Sequence, residues 1–339
     1  MFCVAMIDIA NEFEVPTYTY FTAGAATLNL MFYLQAKRDE ENYDVTELKN
    51  SESGYELQVP GFVNPVPCKV LPEVALDKEG GSKMFLDIAK RFRESKGIIV
   101  NTFQALESHP LEYLPSSSND IPPVFVVGPI LNLEKKNLND SKTDDILSWL
   151  NKQPESSVVF LCFGSMGSFN EKQVKKIAIA LERSGHRFLW SLRRPAQKEK
   201  FDFPKEYEHF EEVLPEGFLA RTSGVGKVIG WAPQIAVIWC GVPMAAWPLY
   251  AEQQLNAFQL VVELGIAAEI RMDYQMDTIG GGGSGMMVTV EEIEEGIRKL
   301  MSDGEMRKKV KDMKDKSRAA VVEGGSSHAT IGKFIDHVM

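Results

Sequence analysis

Residues 158–168 read Val158-Val-Phe-Leu-Cys-Phe-Gly-Ser-Met-Gly-Ser168. The run starts fully apolar and then breaks into small residues. An unbroken β-branched and aromatic run of this length fits a strand buried on both faces. The Gly/Ser segment ends it, and Ser168 with Glu171 is spaced as a capping box for a helix over 170–184. Strand, Gly-rich turn and helix form the repeating unit of a parallel α/β sheet. Such a turn aims backbone N–H groups and a helix N-terminus at one spot, which suits a phosphate. The spacing is neither a Walker loop nor the dinucleotide fingerprint. Taken locally, a tight turn that needs small residues is an equal reading.

The same alternation extends both ways. Downstream, the pattern predicts strands at 187–191, 227–230, 243–247 and 266–270, and helices at 215–221 and 251–264. Helices at 290–302, 304–320 and 327–337 close the chain. Gly280 to Gly285 reads as a flexible loop. Just upstream lies a helix at 144–152. Before it, 129–143 has the composition of an interdomain linker. The first part of the chain predicts helices within 2–13, 23–37 and 82–95 and a short helix or turn at 103–113. It also predicts strands at 16–21, 97–100 and 124–127. The Pro- and Gly-punctuated stretch 38–80 reads mostly as loop. The expectation is an α/β fold with parallel sheets in two domains.

Composition bounds the function. The 339 residues are 44% hydrophobic and 25% charged, with a net charge of −10. That balance suits a soluble globular protein and disfavours nucleic acid or an anionic membrane as the main partner. Cys3, Cys68, Cys162 and Cys240 form no Cys-x-x-Cys pair, so neither a zinc site nor a disulfide framework is expected. A reducing cytoplasm fits, and the apolar neighbours of Cys162 predict a buried free thiol. The N-terminus lacks a basic lead-in, and Asp8, Asn11 and Glu12 interrupt it early, so no signal peptide is expected. Residues 21–34 contain Thr22, Thr27 and Asn29. They are too short and polar to span a bilayer and predict a buried helix instead. No metal is expected, and the chain is taken as a monomer.

Two further segments carry chemistry: Gly230-Trp-Ala-Pro-Gln-Ile-Ala-Val-Ile238 and Gly241-Val-Pro-Met-Ala-Ala-Trp-Pro-Leu-Tyr-Ala-Glu-Gln-Gln-Leu-Asn-Ala257. Trp231 follows a strand, where an aromatic ring can stack on a base; a core tryptophan at a domain seam is the alternative. Glu252 and Gln253 open a helix, where a carboxylate can simply favour the helix dipole or, with the amide, grip sugar hydroxyls.

Together these segments resemble the signature box of plant family 1 UDP-glycosyltransferases, which begins Trp-Ala-Pro-Gln and ends Trp-Pro-Leu-Tyr-Ala-Glu-Gln. Val59-Pro-Gly-Phe-Val-Asn-Pro-Val-Pro67, Leu214-Pro-Glu-Gly-Phe218 and the Gly loop at 164–167 are similar to family text too. The resemblance implies two facing Rossmann-like domains of the GT-B type: 1–128 for the acceptor, 129–143 as linker and 144–323 for the nucleotide sugar. A last helix, 324–339, would pack back on the first domain. It implies transfer of a sugar, glucose by the resemblance, from a UDP-sugar to a hydroxyl of a small metabolite such as a flavonoid or terpenoid, with inversion. Trp231 would stack on uracil, with Ala232 and Gln234 on the uracil and ribose. Ser165 would approach the diphosphate, and Glu252 and Gln253 would bind the sugar hydroxyls. UDP-glucose would be a co-substrate, with no cofactor.

The chain departs from the family in two places. The box should continue past Ile238 with a strand and helix bearing His-Cys-Gly-Trp-Asn-Ser, but Ile238 runs directly into Trp239-Cys240-Gly241. About one βα unit is expected to be lacking, with an unstable or rearranged C-terminal domain as the consequence. The family's catalytic histidine and its orienting aspartate lie upstream of Phe2-Cys3, so no catalytic residue is expected within this chain. His109, His186, His209, His328 and His337 all read as surface or capping residues. The alternative is therefore an inactive relic or misjoined gene model of the same family, at most a small-molecule binder.

Overall fold

The computed structural model of the chain describes residues 3–51, 54–117, 120–131, 141–164, 166–196, 203–230, 237–274 and 287–339. The chain opens with α1 (Met6–Glu12), β1 (Tyr18–Phe21) and α2 (Ala25–Glu41), then a short hairpin of β2 (Glu56–Leu57) and β3 (Val66–Pro67). It continues through α3 (Gly81–Phe92), β4 (Gly97–Val100), α4 (Ser108–Ser117) and β5 (Val124–Val126). Parallel pairing in the order β1-β4-β5 sets Tyr18 opposite Gly97 and Ile98 opposite Val124. α3 buries Phe85, Leu86, Ile88, Ala89 and Phe92 at helical spacing. Its Phe92 meets Phe21 of β1 edge-on at 5.8 Å.

The polar sides of α2 and α3 are tied together at Asp39. Its carboxylate accepts from Arg38 Nε at 2.7 Å and Gln35 Nε2 at 2.9 Å, and Lys90 Nζ of α3 lies 3.2 Å away. The Arg38 hydrogen bond is the main cause that holds the Asp39 carboxyl at about 2, helped by Gln35 and Lys90 against partial burial. A carboxyl depressed below its unfolded value of 3.8 stabilises the fold above that pH, and the contribution is lost as pH falls from about 4 towards 2. Asp39→Asn should therefore flatten the fall in urea midpoint between pH 4 and pH 2 and change little between pH 6 and pH 8. An unchanged acid slope would refute this coupling.

The second half contains α5 (Ser141–Asn151), β6 (Val158–Leu161), α6 (Glu171–Ser184), β7 (Arg187–Ser191), α7 (Phe218–Thr222), β8 (Gly226–Ile229), α8 (Val237–Cys240) and β9 (Met244–Ala246). Then come α9 (Gln253–Phe258), β10 (Ala267–Glu269), α10 (Val290–Ser302), α11 (Gly304–Val321) and α12 (Ser326–Val338). Parallel pairing runs β6-β7-β8, with Val158 opposite Arg187 and Phe188 opposite Gly226. β9 and β10 pair separately, also parallel, with Met244 opposite Ala267. Among the described residues no ladder joins β6 to β9, so the sheet is in two pieces. Trp190 of β7 is fully buried at the centre of this half's core.

Several details differ from the sequence expectations. The cap of α6 is Asn170, whose side chain accepts from Gln173 N at 3.0 Å, and not Ser168. Glu171 is thus the first helical residue and pairs with Lys175 instead of closing a capping box. The reciprocal box occurs at α10, between Thr289 and Glu292. Cys162 is half-buried, because the outer face of β6 is open; Cys68 is the buried thiol. The helix expected over 251–264 is α9 followed by a π turn, Gln259–Glu263. Most of the 129–143 segment and all of Gly280 to Gly285 lie outside the described residues.

That π turn faces the first half of the chain. Glu263 accepts from the backbone N–H groups of Val63 at 3.0 Å and Asn64 at 2.8 Å, and Gln259 Nε2 reaches Glu107 Oε1 at 3.3 Å. Leu255 and Phe258 of α9 join the core of the first half. At the other end, Phe334 of α12 sits edge-on to Tyr18 at 5.3 Å and to Phe125 at 5.1 Å. Ser327 Oγ donates to Gly128 O at 2.6 Å.

Candidate functional site

Chain order places the site. From β6 the sheet grows through β7 to β8 in one direction, whereas β9 and β10 lie on the other side of β6 across a cavity. In open parallel sheets such a reversal opens a crevice at the carboxyl ends of the strands, where ligands bind. Here that crevice is flanked by the Gly loop after β6 and the turn after β9. Alongside it both strands line one cavity of about 1180 Å³, from Val158 to Gly164 on one wall and from Cys240 to Trp247 on the other; Glu252 and Gln253 are not among its lining residues.

The Gly loop is built for tightness. Gly164 has φ +78°, and a Cβ on Gly167 would sit 1.9 Å from the Phe163 carbonyl oxygen. Only glycine fits there, so the turn can bring backbone close to a ligand. Beneath the loop four rings lock the two strand ends together. Trp247 meets Phe163 at 5.6 Å, Phe169 at 4.9 Å and Tyr274 at 5.7 Å between centroids. The contacts of Trp247 with Phe163 and Tyr274 are edge-to-face and that with Phe169 is tilted, and rings at these distances make a rigid floor.

The turn after β9 ends in Ala251 at φ +60°, a strained conformation for a residue with a Cβ. It delivers Glu252 to the N-cap position of α9 and Gln253 to its first turn. Gln253 Oε1 accepts from Leu249 N at 2.9 Å, which fixes the amide and turns its NH2 donors elsewhere. Glu252 is half-buried and, among the described residues, its carboxylate has no hydrogen-bond partner. A carboxylate and an amide side by side, fixed but unsaturated, are suited to a polyhydroxylated ligand.

Ser165, Trp231, Ala232 and Gln234 lie outside the described residues. Of the site residues expected from sequence, Glu252 and Gln253 are thus the pair whose geometry is described. None of the five histidines lines the cavity. Burial, and then the charge of Arg298, pushes the His186 imidazole below its ordinary value. His337 rests against Tyr18 and Phe125 with a ring nitrogen 3.2 Å from Lys96 O. Among the described residues no group of three or more His, Cys, Asp or Glu side chains is arranged to hold a metal ion. No described helix is long and apolar enough to cross a membrane. Sequence reading missed the ring floor, although Phe163 and Trp247 lie within the motifs that it singled out and Phe169 directly follows one.

Comparison with known proteins gives the family. Residues 121–276 match the family model for UDP-glucoronosyl and UDP-glucosyl transferase. Over all of this chain and 75% of its own length, UDP-glycosyltransferase 71E1 of Stevia rebaudiana is 72% identical. The chain belongs to the UDP-glycosyltransferase family. UDP-glucose flavonoid 3-O-glucosyltransferase 6 of Fragaria ananassa is 53% identical over the whole chain and 74% of its own length. The crystal structure of UGT71G1 from Medicago truncatula, complexed with UDP-glucose, superimposes with a TM-score of 0.84 at 40% identity, covering 99% of this chain and 73% of that one. The fold is accordingly the two-domain GT-B arrangement of parallel α/β sheets, and the family's co-substrate is a UDP-sugar. The chain spans about three quarters of the length of these relatives. Nothing among them favours an inactive relic over a transferase.

Proposed function

We propose that the chain transfers glucose from UDP-glucose to a hydroxyl of a small plant metabolite, a flavonoid or a related phenolic or terpenoid. The observation that carries this reading is the 72% identity, across the entire chain, to a plant UDP-glycosyltransferase. The half-buried, unsaturated Glu252 beside the fixed amide of Gln253 supports it, because the pair offers acceptor and donor groups to adjacent hydroxyls. In this reading residues 144–323 bind the donor, 1–128 form the acceptor side, and 324–339 strap the two together. Ser165 approaches the diphosphate, Trp231 stacks on the base, and Ala232 and Gln234 hold the uracil and ribose. No residue of this chain is assigned as catalytic base. Among the described residues no disulfide joins two cysteines, which suits a reducing cytoplasm.

The test is incubation of the purified chain with UDP-glucose and a panel of flavonoids and terpenoid alcohols, with glucosides read by mass spectrometry. Glucoside formation above that of a heat-treated control supports the reading, and its absence with every acceptor counts against it. A second measurement isolates the base contact. Base–aromatic stacking is worth about 1–3 kcal/mol, so Trp231→Ala should weaken UDP binding roughly fivefold to 150-fold by calorimetry. An unchanged affinity would remove Trp231 from the site.

A further inference from the structure

We propose that the cavity between β6 and β9 is a slot for one extended apolar peptide strand, supplied in trans, running parallel to both walls and followed by a short helix. Three independent features define the slot. First, β6 uses one edge on β7 and β9 uses one edge on β10, and the opposite edges of both face the same cavity. Inward-facing edges are rare in parallel sheets, which are normally paired throughout and covered on both faces. At about 1180 Å³ the cavity is larger than the usual range for a drug-sized ligand, roughly 300–1,000 Å³. Its floor is the apolar face of α10, through Ile293 and Ile297.

Second, the residues around the slot are those that an added strand and helix would cover. Val159 and Leu161 point towards the buried side, whereas Phe160 between them is 42% exposed. Met244, Ala245 and Ala246 are all only half-buried, although they form a strand. Trp247 is 8% exposed and lines the cavity, and its indole N–H has no acceptor among the described residues.

Third, the chain is short where the slot opens. The β8–β9 connection, residues 230–243, is shorter than the connections at 162–186 and 192–225. The alignment with the Stevia relative runs over 359 positions against the 339 residues of this chain. The excess matches one strand of about 5–6 residues and one helix of about 11–12 with their turns. The two open parallel edges call for an extended strand, and the excess length leaves room for a helix after it, so the occupant is a strand–helix peptide. Binding would be strand addition: main-chain hydrogen bonds to both walls provide affinity, and alternate side chains provide register.

The probe is a synthetic peptide of the longest run of residues in the Stevia relative that falls opposite a gap within this chain, with a scrambled peptide as control. The full chain is used, without nucleotide, so the outcome is independent of the transferase reading. Hydrogen exchange should slow in 158–164 and 242–247 on adding the peptide and not on adding the scrambled one. Phe160→Ser alters an exposed side chain and should leave the fold intact, while weakening peptide binding roughly tenfold. Unprotected β6 and β9 amides at saturating peptide would overturn the proposal. Equal binding of the scrambled peptide, or edges already protected in a dimer of this chain, would overturn it as well.

Discussion

Glu107→Ala is expected to cost about 3–5 kcal/mol of folding stability, a large share of the margin of an ordinary domain. Glu107 is 3% exposed and lies in the turn before α4, far in sequence from its partners. Its two carboxylate oxygens accept from the backbone N–H groups of Ala25 at 2.8 Å and Ala26 at 2.9 Å. Those are orphan donors at the start of α2, whose N-cap is Gly24 and offers no side chain. The positive end of the helix dipole favours the charge as well. A Cβ at 24 would sit 2.6 Å from Glu107 Oε1, so a larger residue there would push the carboxylate off these donors. Alanine at 107 would leave both buried donors unpaired and would also free Gln259 at the seam between the halves. Glu107→Gln keeps one acceptor and should lose roughly half as much. Urea unfolding of the two variants measures this directly. A loss under about 1 kcal/mol for Glu107→Ala would mean that water reaches the α2 terminus.

The signals that made the fold readable explain which parts of it were not. Buried parallel strands are short apolar runs, so 97–100 and 187–191 are found at their sequence positions. Helices with one apolar face, such as α3 and α10, stand out by periodicity. The Glu107 cap could not be read, because an isolated glutamate in a turn carries no local sign that it will meet a helix some eighty residues upstream. The π turn was equally hidden: Gln259 and Glu263 continue a helical pattern, and only their contacts with Glu107, Val63 and Asn64 explain the change of pitch. Asn170 displaced Ser168 as the α6 cap because Gly167 folds tightly over Phe163 and places the helix start later. The separate pairing of β9 with β10, across an open slot from β6, needed coordinates. Glu252 and Gln253 were legible as a motif; that one is unsaturated and the other anchored was not.

That difference between neighbours makes the sharpest functional prediction. Glu252→Ala should lower affinity for UDP-glucose while leaving affinity for UDP nearly unchanged. The carboxylate has no partner to lose among the described residues, so the fold should not suffer, and thermal stability should stay close to that of the unmodified chain. What disappears is the hydrogen bonding to sugar hydroxyls, worth about 1.5–3 kcal/mol for each hydroxyl held by a charged group. One such contact corresponds to roughly 10- to 150-fold in affinity, and two to more. Gln253→Ala should behave differently, because its amide oxygen also holds Leu249 N and so shapes the turn that follows β9. Its loss should weaken both ligands by loosening the crevice. Calorimetric titration of each variant with UDP and with UDP-glucose separates the two effects. If Glu252→Ala weakened both ligands alike, the carboxylate would be shaping the nucleotide site, and the sugar would have to be held by other residues.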